Sequence, residues 1–434
     1  MRGVQALQGT DRLWRRPDVV VVGAGIVGLA SAYELAERGL SVCVLEAAEP
    51  GAGQSSRNWG FIRQQGRAVE ELPVMMEANR MWQELPGRLG ADLEWVQGGN
   101  LRLTDQPERA EEYLGWIETA TGYGLDSRVA TAREVSEIVP GFAGSYELAI
   151  FTPSDGQVNP VKAVAAYVTA LPASQVEMYS GCRAREIVTS GGAVAGLQTD
   201  AGFFAASAVV LAAGAGSGAL LRRLGYHVPV HLVAQTVSLT EKMPRLTDAC
   251  VWTGRVGFRQ TASGQVLVSA GGRGEMVIDP SALGALVSPR QLRQALPMYW
   301  KNREYLKIRP RAALGGLATA VGRDHLDGPV RHAAIAEALM AMGEYFPGRT
   351  WRTVTAWGGT IDGTPDALPL LDSVGPGGNV VVATGMSGHG FGVAPAVGRI
   401  VADLVTTGKS SHNLSPFRLG RFADGTAKPP QHLL

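Results

Sequence analysis

The sequence predicts an α/β fold organised on a parallel sheet, and three stretches of the chain carry that expectation. Asp18-Val19-Val20-Val21-Val22 is a short β-branched run of the kind buried on both faces of a sheet. Residues 208–216 and 379–392 repeat the pattern far downstream. Each is an apolar run that ends in a glycine turn and passes into helical spacing, the first through Leu221 and the second over about 394–405.

The first run leads into Gly23-Ala24-Gly25-Ile26-Val27-Gly28, a GxGxxG. Residues 29–38 then carry Leu29, Ala32, Tyr33 and Ala36 on one helical face, and Gly39 ends the helix. Residues 41–45 form a second strand with Glu46 at its carboxyl end, 18 positions after Gly28. Each part has a physical task. Gly23 allows the tight turn, Gly25 lets the backbone approach a pyrophosphate, and Gly28 lets helix and strand pack closely. The N–H groups at the helix start, around Ile26 and Val27, receive phosphate oxygens. Glu46 would accept from a ribose diol and repel a 2′-phosphate. A lone GxGxxG is weak, but strand, glycines, helix, strand and acid in register read as a dinucleotide site.

The continuation favours FAD over NAD. In place of further βα units, the chain enters a glycine- and serine-rich loop at 49–60. Its donors include Ser55, Ser56, Arg57, Asn58 and Gly60, and Arg63 and Arg67 follow. The two later glycine turns supply Ala213 and Gly214, and then Gly385, Gly388, His389, Gly390, Phe391 and Gly392. The helix after the last turn would aim its free N–H groups at the electron-rich edge of a reduced isoalloxazine.

At these motifs the chain resembles the D-amino-acid-oxidase-like family of FAD oxidoreductases, from about Asp18 to Val405. The specific pieces are the fingerprint, the turn at 209–217, TPDALPLLD at 364–372 and TGMSGHGFGVAPAVG at 384–398. The stretch 357–366, with Ser56-Arg57-Asn58 and Phe61-Ile62-Arg63, resembles the branch of sarcosine oxidase β-subunits and hydroxyproline dehydrogenases. The resemblance implies a Rossmann-like FAD-binding domain interleaved with an α+β substrate domain on a mixed or antiparallel sheet. Residues 17–75, 153–227 and 353–410 would form the first, 76–152 and 228–352 the second, with tails at 1–16 and 411–434. Helical spacing at 74–92 and 106–121 and strand patterns at 93–104, 145–152, 232–240 and 264–269 fill in that plan. Asn159 and Pro160 read as the N-cap and first residue of a helix through Ala170. A helical stretch from Ser288 carries Met298, Tyr299 and Trp300. These aromatics, with Trp252 and Trp351, are either core packing or a substrate cage.

The implied activity is oxidation of a C–N bond in a small amine or amino acid, a secondary or cyclic amine or a D-amino acid, by hydride transfer to flavin N5. The cofactor carries the hard chemistry, so no metal, nucleophile or triad is expected. Two carboxylate anchors of the family are replaced here. Ile361 stands where glycine-oxidase-like relatives place an arginine, and Gly392 where sarcosine-oxidase-like relatives place a lysine. Arg63 matches a third anchor, and reads either as a substrate clamp or as a contact to FAD or a nearby carboxylate. Asp362 reads either as a partner for a substrate ammonium or as a turn-capping carboxylate. His389 reads as a donor to flavin or substrate, or as a structural hydrogen bond. Trp357 is taken as a substrate-facing residue. Gly359 and Arg57 or Asn58 stand where relatives attach flavin covalently, which implies non-covalent FAD. Leu267 replaces a lysine that helps oxygen accept electrons in sarcosine-oxidase-like relatives, which favours a dehydrogenase; the acceptor is O2, a quinone or an electron-transfer protein.

Composition narrows the remaining classes. A formal charge of +1 gives no field for nucleic acid, which argues against an RNA-associated flavoprotein. An NAD(P)H-linked flavoprotein reductase needs a second strand–GxGxxG–helix unit, and the sequence has none. Cys43, Cys182 and Cys250 are sparse and unpatterned, which fits a reducing, cytoplasmic setting. No apolar run reaches the roughly 18 residues of a transmembrane helix, and 1–17 lacks the apolar core of a secretory signal. Residues 1–16, with Arg12, Arg15 and Arg16, read as a solvated, frayed tail or a surface contact, and 411–434 as a loosely docked tail.

Overall fold

The computed structural model describes residues 5–8, 16–271, 275–277 and 330–428. Its first layer is a seven-stranded sheet in the order Gln5–Gln8, Val176–Ser180, Val42–Leu45, Val19–Val22, Ala208–Leu211, Val380–Thr384, Leu370–Val374. The five inner strands run parallel and the two edge strands antiparallel. Val19–Val22 is buried at every position, which explains an unbroken β-branched run in place of alternation. Helices Ile26–Glu37, Pro160–Ala170 and Gly390–Thr407 cover one face. Helix Ser217–Arg223 and a small sheet of Ala184–Ser190, Ala193–Thr199 and Gly202–Ala205 cover the other.

Two helices, Ile26–Glu37 and Gly390–Thr407, make the closest approach. A Cβ at Gly398 would lie 2.7 Å from the Ala30 carbonyl, so only glycine lets their backbones meet. Both helices begin at the same sheet edge, where the strands Val19–Val22 and Val380–Thr384 end. Asn159 caps Pro160–Ala170 by accepting from the Val161 and Lys162 amides at 3.1 and 3.2 Å.

The second layer is a nine-stranded mixed sheet. Thr353–Gly363 and Gln265–Ala270 flank the long strand His231–Lys242, and Cys250–Trp252 runs parallel to Asn100–Thr104. Helix His332–Tyr345 closes one face over Leu101, Val251, Phe258 and Val268. The opposite face looks back at the first layer: Arg259 donates to the Trp59 carbonyl and, at 2.7 Å, to Gln157 Oε1.

Several expectations are corrected. Strand 93–104 contracts to Asn100–Thr104; before it Val96 makes an isolated bridge to Gln157, and Gly98 passes so close to Asp248 that a Cβ there would stand 1.9 Å from its carbonyl oxygen. Thr353–Gly363, assigned to the FAD-binding segments, pairs with His231–Lys242 in the larger sheet. The terminal segments are not loose where they are described. Gln5–Gln8 adds an edge strand, and Phe417, Leu419 and Phe422 are buried. Arg421 is buried too and grips Asp366 through two bonds of 2.7 and 2.9 Å. The polar look of 411–434 hid an amphipathic segment anchored by one ion pair. Trp351 packs in the second core, and Trp252 stacks on Trp59 at 5.2 Å. Met298, Tyr299 and Trp300 lie outside the described residues. The three cysteines are free and buried, and no described helix is long and apolar enough to cross a membrane.

Candidate active site

The fingerprint turn forms as its residues require. Gly23 has φ +103°, and a Cβ there would lie 2.6 Å from the Ala212 carbonyl. A Cβ at Gly28 would lie 1.9 Å from the Gly23 carbonyl. This turn therefore admits no side chain at either position. Glu46 anchors it from the neighbouring strand, accepting from the Ala24 and Ala48 amides at 2.8 Å each. Burial raises the Glu46 pKa, against the pull of those amides. Ser55 Oγ accepts from the Ile26 amide at 2.9 Å, which places the serine loop over the helix start. Within that loop Ser56 donates to Gly51 O, Asn58 bridges Ser55 O and Gly60 N, and Arg57 donates to Ala52 O and Gly53 O. The other two glycine turns meet at the same edge, where Thr384 donates to the Gly214 carbonyl at 2.8 Å. Ala213 opens the short 3-10 turn that holds Gly214. A glycine cradle closed to side chains, an acid at the second strand's end and a convergent serine loop fit the dinucleotide half of FAD.

The last turn is held from below by Asp362. Its carboxylate accepts from the Gly385 amide at 3.1 Å, and from Gln54 and the Met386 amide. Burial raises its pKa to about 6. These donors, two from the glycine turn and one from the serine loop, match the turn-capping alternative for Asp362. Gly385 and Gly388 take positive φ, and Gly390 packs against Met386. Ile361 lies against Gly388, so hydrocarbon fills the place of an expected arginine. Phe391 stacks on Trp82 at 5.2 Å, and Trp82 Nε1 donates to the Gly392 carbonyl at 2.8 Å. Trp357 Nε1 donates to the Arg57 carbonyl at 3.0 Å, which ties the larger sheet to the serine loop.

His389 precedes the long helix and is buried. Its Nδ1 lies 2.9 Å from Glu71 Oε2. Burial and the Arg67 charge push the His389 pKa down to about 4. Burial alone would raise Glu71, but His389, Arg67 and Arg63 outweigh it and hold the carboxyl below its usual range. At neutral pH the pair is a neutral imidazole donating Nδ1–H to a carboxylate, which fixes its tautomer.

Beside this pair three arginines converge. The Arg63 and Arg102 Nη1 atoms lie 3.1 and 2.9 Å from where a Cβ at Gly66 would stand. Arg67 Nη2 lies 3.8 Å from the corresponding point at Gly392. Arg63 donates to Gln65 O at 2.7 Å, and Arg67 Nε to Arg63 O at 3.0 Å. Arg102 lies over the rings of Tyr113 and Trp252. Asp155 sits among them, accepting from both the Gln64 and Gln65 amides, with a pKa raised by burial to about 6. Burial lowers the pKa of all three guanidiniums, that of Arg63 the furthest among them.

The candidate FAD residues lie together at one end of the first sheet, joined there by Glu71, Asp155 and Arg102, which the sequence did not single out. Glu71 looks like an ordinary residue before an amphipathic helix, Asp155 like a turn, and Arg102 like the outward position of an alternating strand. None of the three carried a signal in the sequence; the structure buries both faces of 100–104, so the Arg102 charge lies between layers.

The comparisons agree with this geometry. The family described as FAD dependent oxidoreductase, DAO, matches residues 18–404. A glycine oxidase from Geobacillus kaustophilus is 26% identical, over 94% of this chain and 97% of its own. A sarcosine oxidase subunit beta from an Arthrobacter species is 26% identical, over 95% and 94%. Among solved structures, an L-amino acid deaminase from Proteus myxofaciens in complex with anthranilate superposes with a TM-score of 0.84 at 24% identity, covering 97% of this chain and 99% of that one. L-proline dehydrogenase from P. horikoshii gives a TM-score of 0.78 at 23% identity, covering 95% and 99%. A glycine cradle at the sheet edge and a family match spanning nearly the whole chain make one assignment: this chain belongs to the DAO family of FAD-dependent oxidoreductases.

Proposed function

We propose that this enzyme oxidises a C–N bond of a small amine or amino acid, most suitably a secondary or cyclic amine or a D-amino acid. The observation that carries the reading is the convergence of the three glycine turns with the Glu71–His389 pair and the arginine cluster at one edge of the sheet. FAD, when bound, accepts the hydride equivalent at N5 and so supplies the redox chemistry. Gly23, Gly25, Gly28 and Glu46 would hold its dinucleotide half, and the loop 54–60 and the turn 385–392 its flavin half, without a covalent bond. The N-terminus of Gly390–Thr407 offers free N–H groups to developing negative charge. His389, neutral and oriented by Glu71, holds a fixed tautomer beside the reacting centre. The substrate amine must be neutral for its lone pair to assist bond breaking, and the cationic surroundings of Arg63, Arg67 and Arg102 favour that form.

Among O2, a quinone and an electron-transfer protein as acceptors, the residue at 267 favours a dehydrogenase over an oxidase. Leu267 is buried and faces the same side of its sheet as Arg259, whose hydrogen bonds go to Trp59 O and Gln157. Hydrocarbon at 267 gives superoxide no electrostatic help. The cytoplasm is the proposed setting, supported by three free cysteines.

Anaerobic titration of the yellow holoenzyme with a panel of N-methyl, cyclic and D-amino acids tests the reading. At least one is expected to bleach the flavin, with slow recovery on admitting air. A flavin untouched by the whole panel, or bleached by NADH alone, refutes the substrate class.

A further inference from the structure

Resting on that substrate reading, we infer that the enzyme takes a monocarboxylate and grips it with Arg67 and Arg102, an anchor displaced from both places where the sequence resemblance leads one to look for it. Two facts make the inference necessary. Ile361 and Gly392 bring no cation to the glycine turn, yet Arg67 Nη2 comes within 3.8 Å of the point where a side chain at 392 would begin. Charge thus comes close to that spot from the facing segment, beside the Met75 thioether at 3.4 Å.

The second fact is unspent hydrogen-bonding capacity. Arg67 Nη1 and Arg102 Nε and Nη1 are buried without a hydrogen-bond partner among the described residues. Both residues are more than nine-tenths buried, at 4% and 2% exposure. A buried guanidinium with idle N–H groups is costly unless an anion completes it. The local acids do not. Glu71 gives Oε2 to His389 and keeps Oε1 buried without a hydrogen bond to any of these guanidiniums, and Asp155 is spent on the Gln64 and Gln65 amides. Arg63 and Arg67 face these two carboxylates, while Arg102 faces Arg67, Arg109 and Tyr113 and has neither acid beside it. The buried surplus is one positive charge, which one carboxylate neutralises; a second would be left without a partner.

The neighbours define the rest of the ligand. Trp252 carries Arg102 over its ring and stacks on Trp59, a part-exposed aromatic wall beside the cationic end. A carboxylate attached to an apolar or cyclic body matches cation and wall together. The same surplus disfavours a substrate whose only charge is an ammonium.

Calorimetric titration of the FAD-loaded full chain with benzoate and acetate, against benzamide and acetamide, tests this without turnover. The carboxylates are expected to bind at least about a hundredfold more tightly than the amides, since an amide leaves the guanidiniums unpaired. Arg67→Lys and Arg102→Lys keep the charge but lose the fork, and each is expected to weaken benzoate at least about tenfold with FAD content unchanged. Equal binding of acid and amide by the parent enzyme overturns the inference whatever the variants do. So does undiminished benzoate affinity in folded lysine variants, with or without a shift in the flavin midpoint potential. The two readings fail separately. An N-methylamine lacking a carboxylate that reduces flavin as well as N-methylglycine removes the anchor and leaves C–N oxidation standing. Selective benzoate binding with no reduction by any amine does the reverse.

Discussion

Replacing Gly28 with alanine puts the fingerprint under direct load. The added Cβ would stand 1.9 Å from the Gly23 carbonyl oxygen and 3.1 Å from its carbon, both backbone atoms. Real Cβ contacts do not fall below 3.0 Å, so helix and turn must part by about 1 Å, at a cost of about 1–3 kcal/mol. Gly23 has little room to retreat, since a Cβ there would already lie 2.6 Å from the Ala212 carbonyl oxygen. The strain therefore falls on the turn that receives the pyrophosphate, and FAD affinity should drop about 5- to 150-fold. Flavin-fluorescence titration of the apoprotein measures this, and Gly218→Ala is the control. Gly218 lies in helix Ser217–Arg223 with nothing within 4 Å of an added methyl, so alanine there should leave FAD binding intact. A Gly28→Ala protein with parental FAD affinity and thermal midpoint would refute the reasoning, because the close approach would then not be holding the cradle.

Three further outcomes follow from particular side chains. Arg421→Met should cost about 3–5 kcal/mol in urea unfolding, because it strands a buried Asp366; a loss below about 1 kcal/mol would class the pair with surface ion pairs. Asn159→Ala should cost about 1 kcal/mol by unsealing helix Pro160–Ala170, and a stable helix after that change would put the cap elsewhere. Asp362 and His389 should pull the stability–pH profile in opposite directions. Asp362, raised by burial from 3.8 to about 6, holds its proton more tightly when folded, so its contribution is present below about pH 4 and fades as pH rises through 6. His389, lowered from 6.5 to about 4, contributes above pH 6.5 and loses that contribution as pH falls through 4. Relative to the parent, thermal midpoints of Asp362→Asn should then rise with pH across this window and those of His389→Gln fall, each by at most about 3 kcal/mol in stability; parallel profiles would contradict both assignments.

What the sequence made legible was local. Val19–Val22, its glycines and Glu46 lie within 28 positions, and their spacing alone dictates strand, turn and helix. The downstream glycine turns were equally readable, because positive φ at Gly385 and Gly388 is a demand that few residues other than glycine meet. Strand Thr353–Gly363 was legible as a motif but not as a member of a sheet. Its partner, His231–Lys242, lies more than a hundred residues away, and nothing in either alternation selects the other. The tail at 411–428 misled for a related reason. A single buried Arg–Asp pair converts a polar segment into a docked one, and a pair has no period.

The arginine cluster shows the same limit at the level of chemistry. Arg63 and Arg67 sit four positions apart and were visible as a basic stretch, whereas Arg102 comes from a different layer and joins them only through the close passage at Gly66. What a carboxylate requires is a guanidinium at a given point, within a water-poor site and with its donors unspent. Which strand or loop supplies it is a matter of reach. Gly392 makes room on the helix side, which Met75 fills at 3.4 Å with the Arg67 guanidinium beside it at 3.8 Å, so losing a cation at one chain position is compatible with keeping charge nearby. Position by position, Gly392 is a missing anchor; atom by atom, the Arg67 guanidinium lies 3.8 Å from that point, next to Met75.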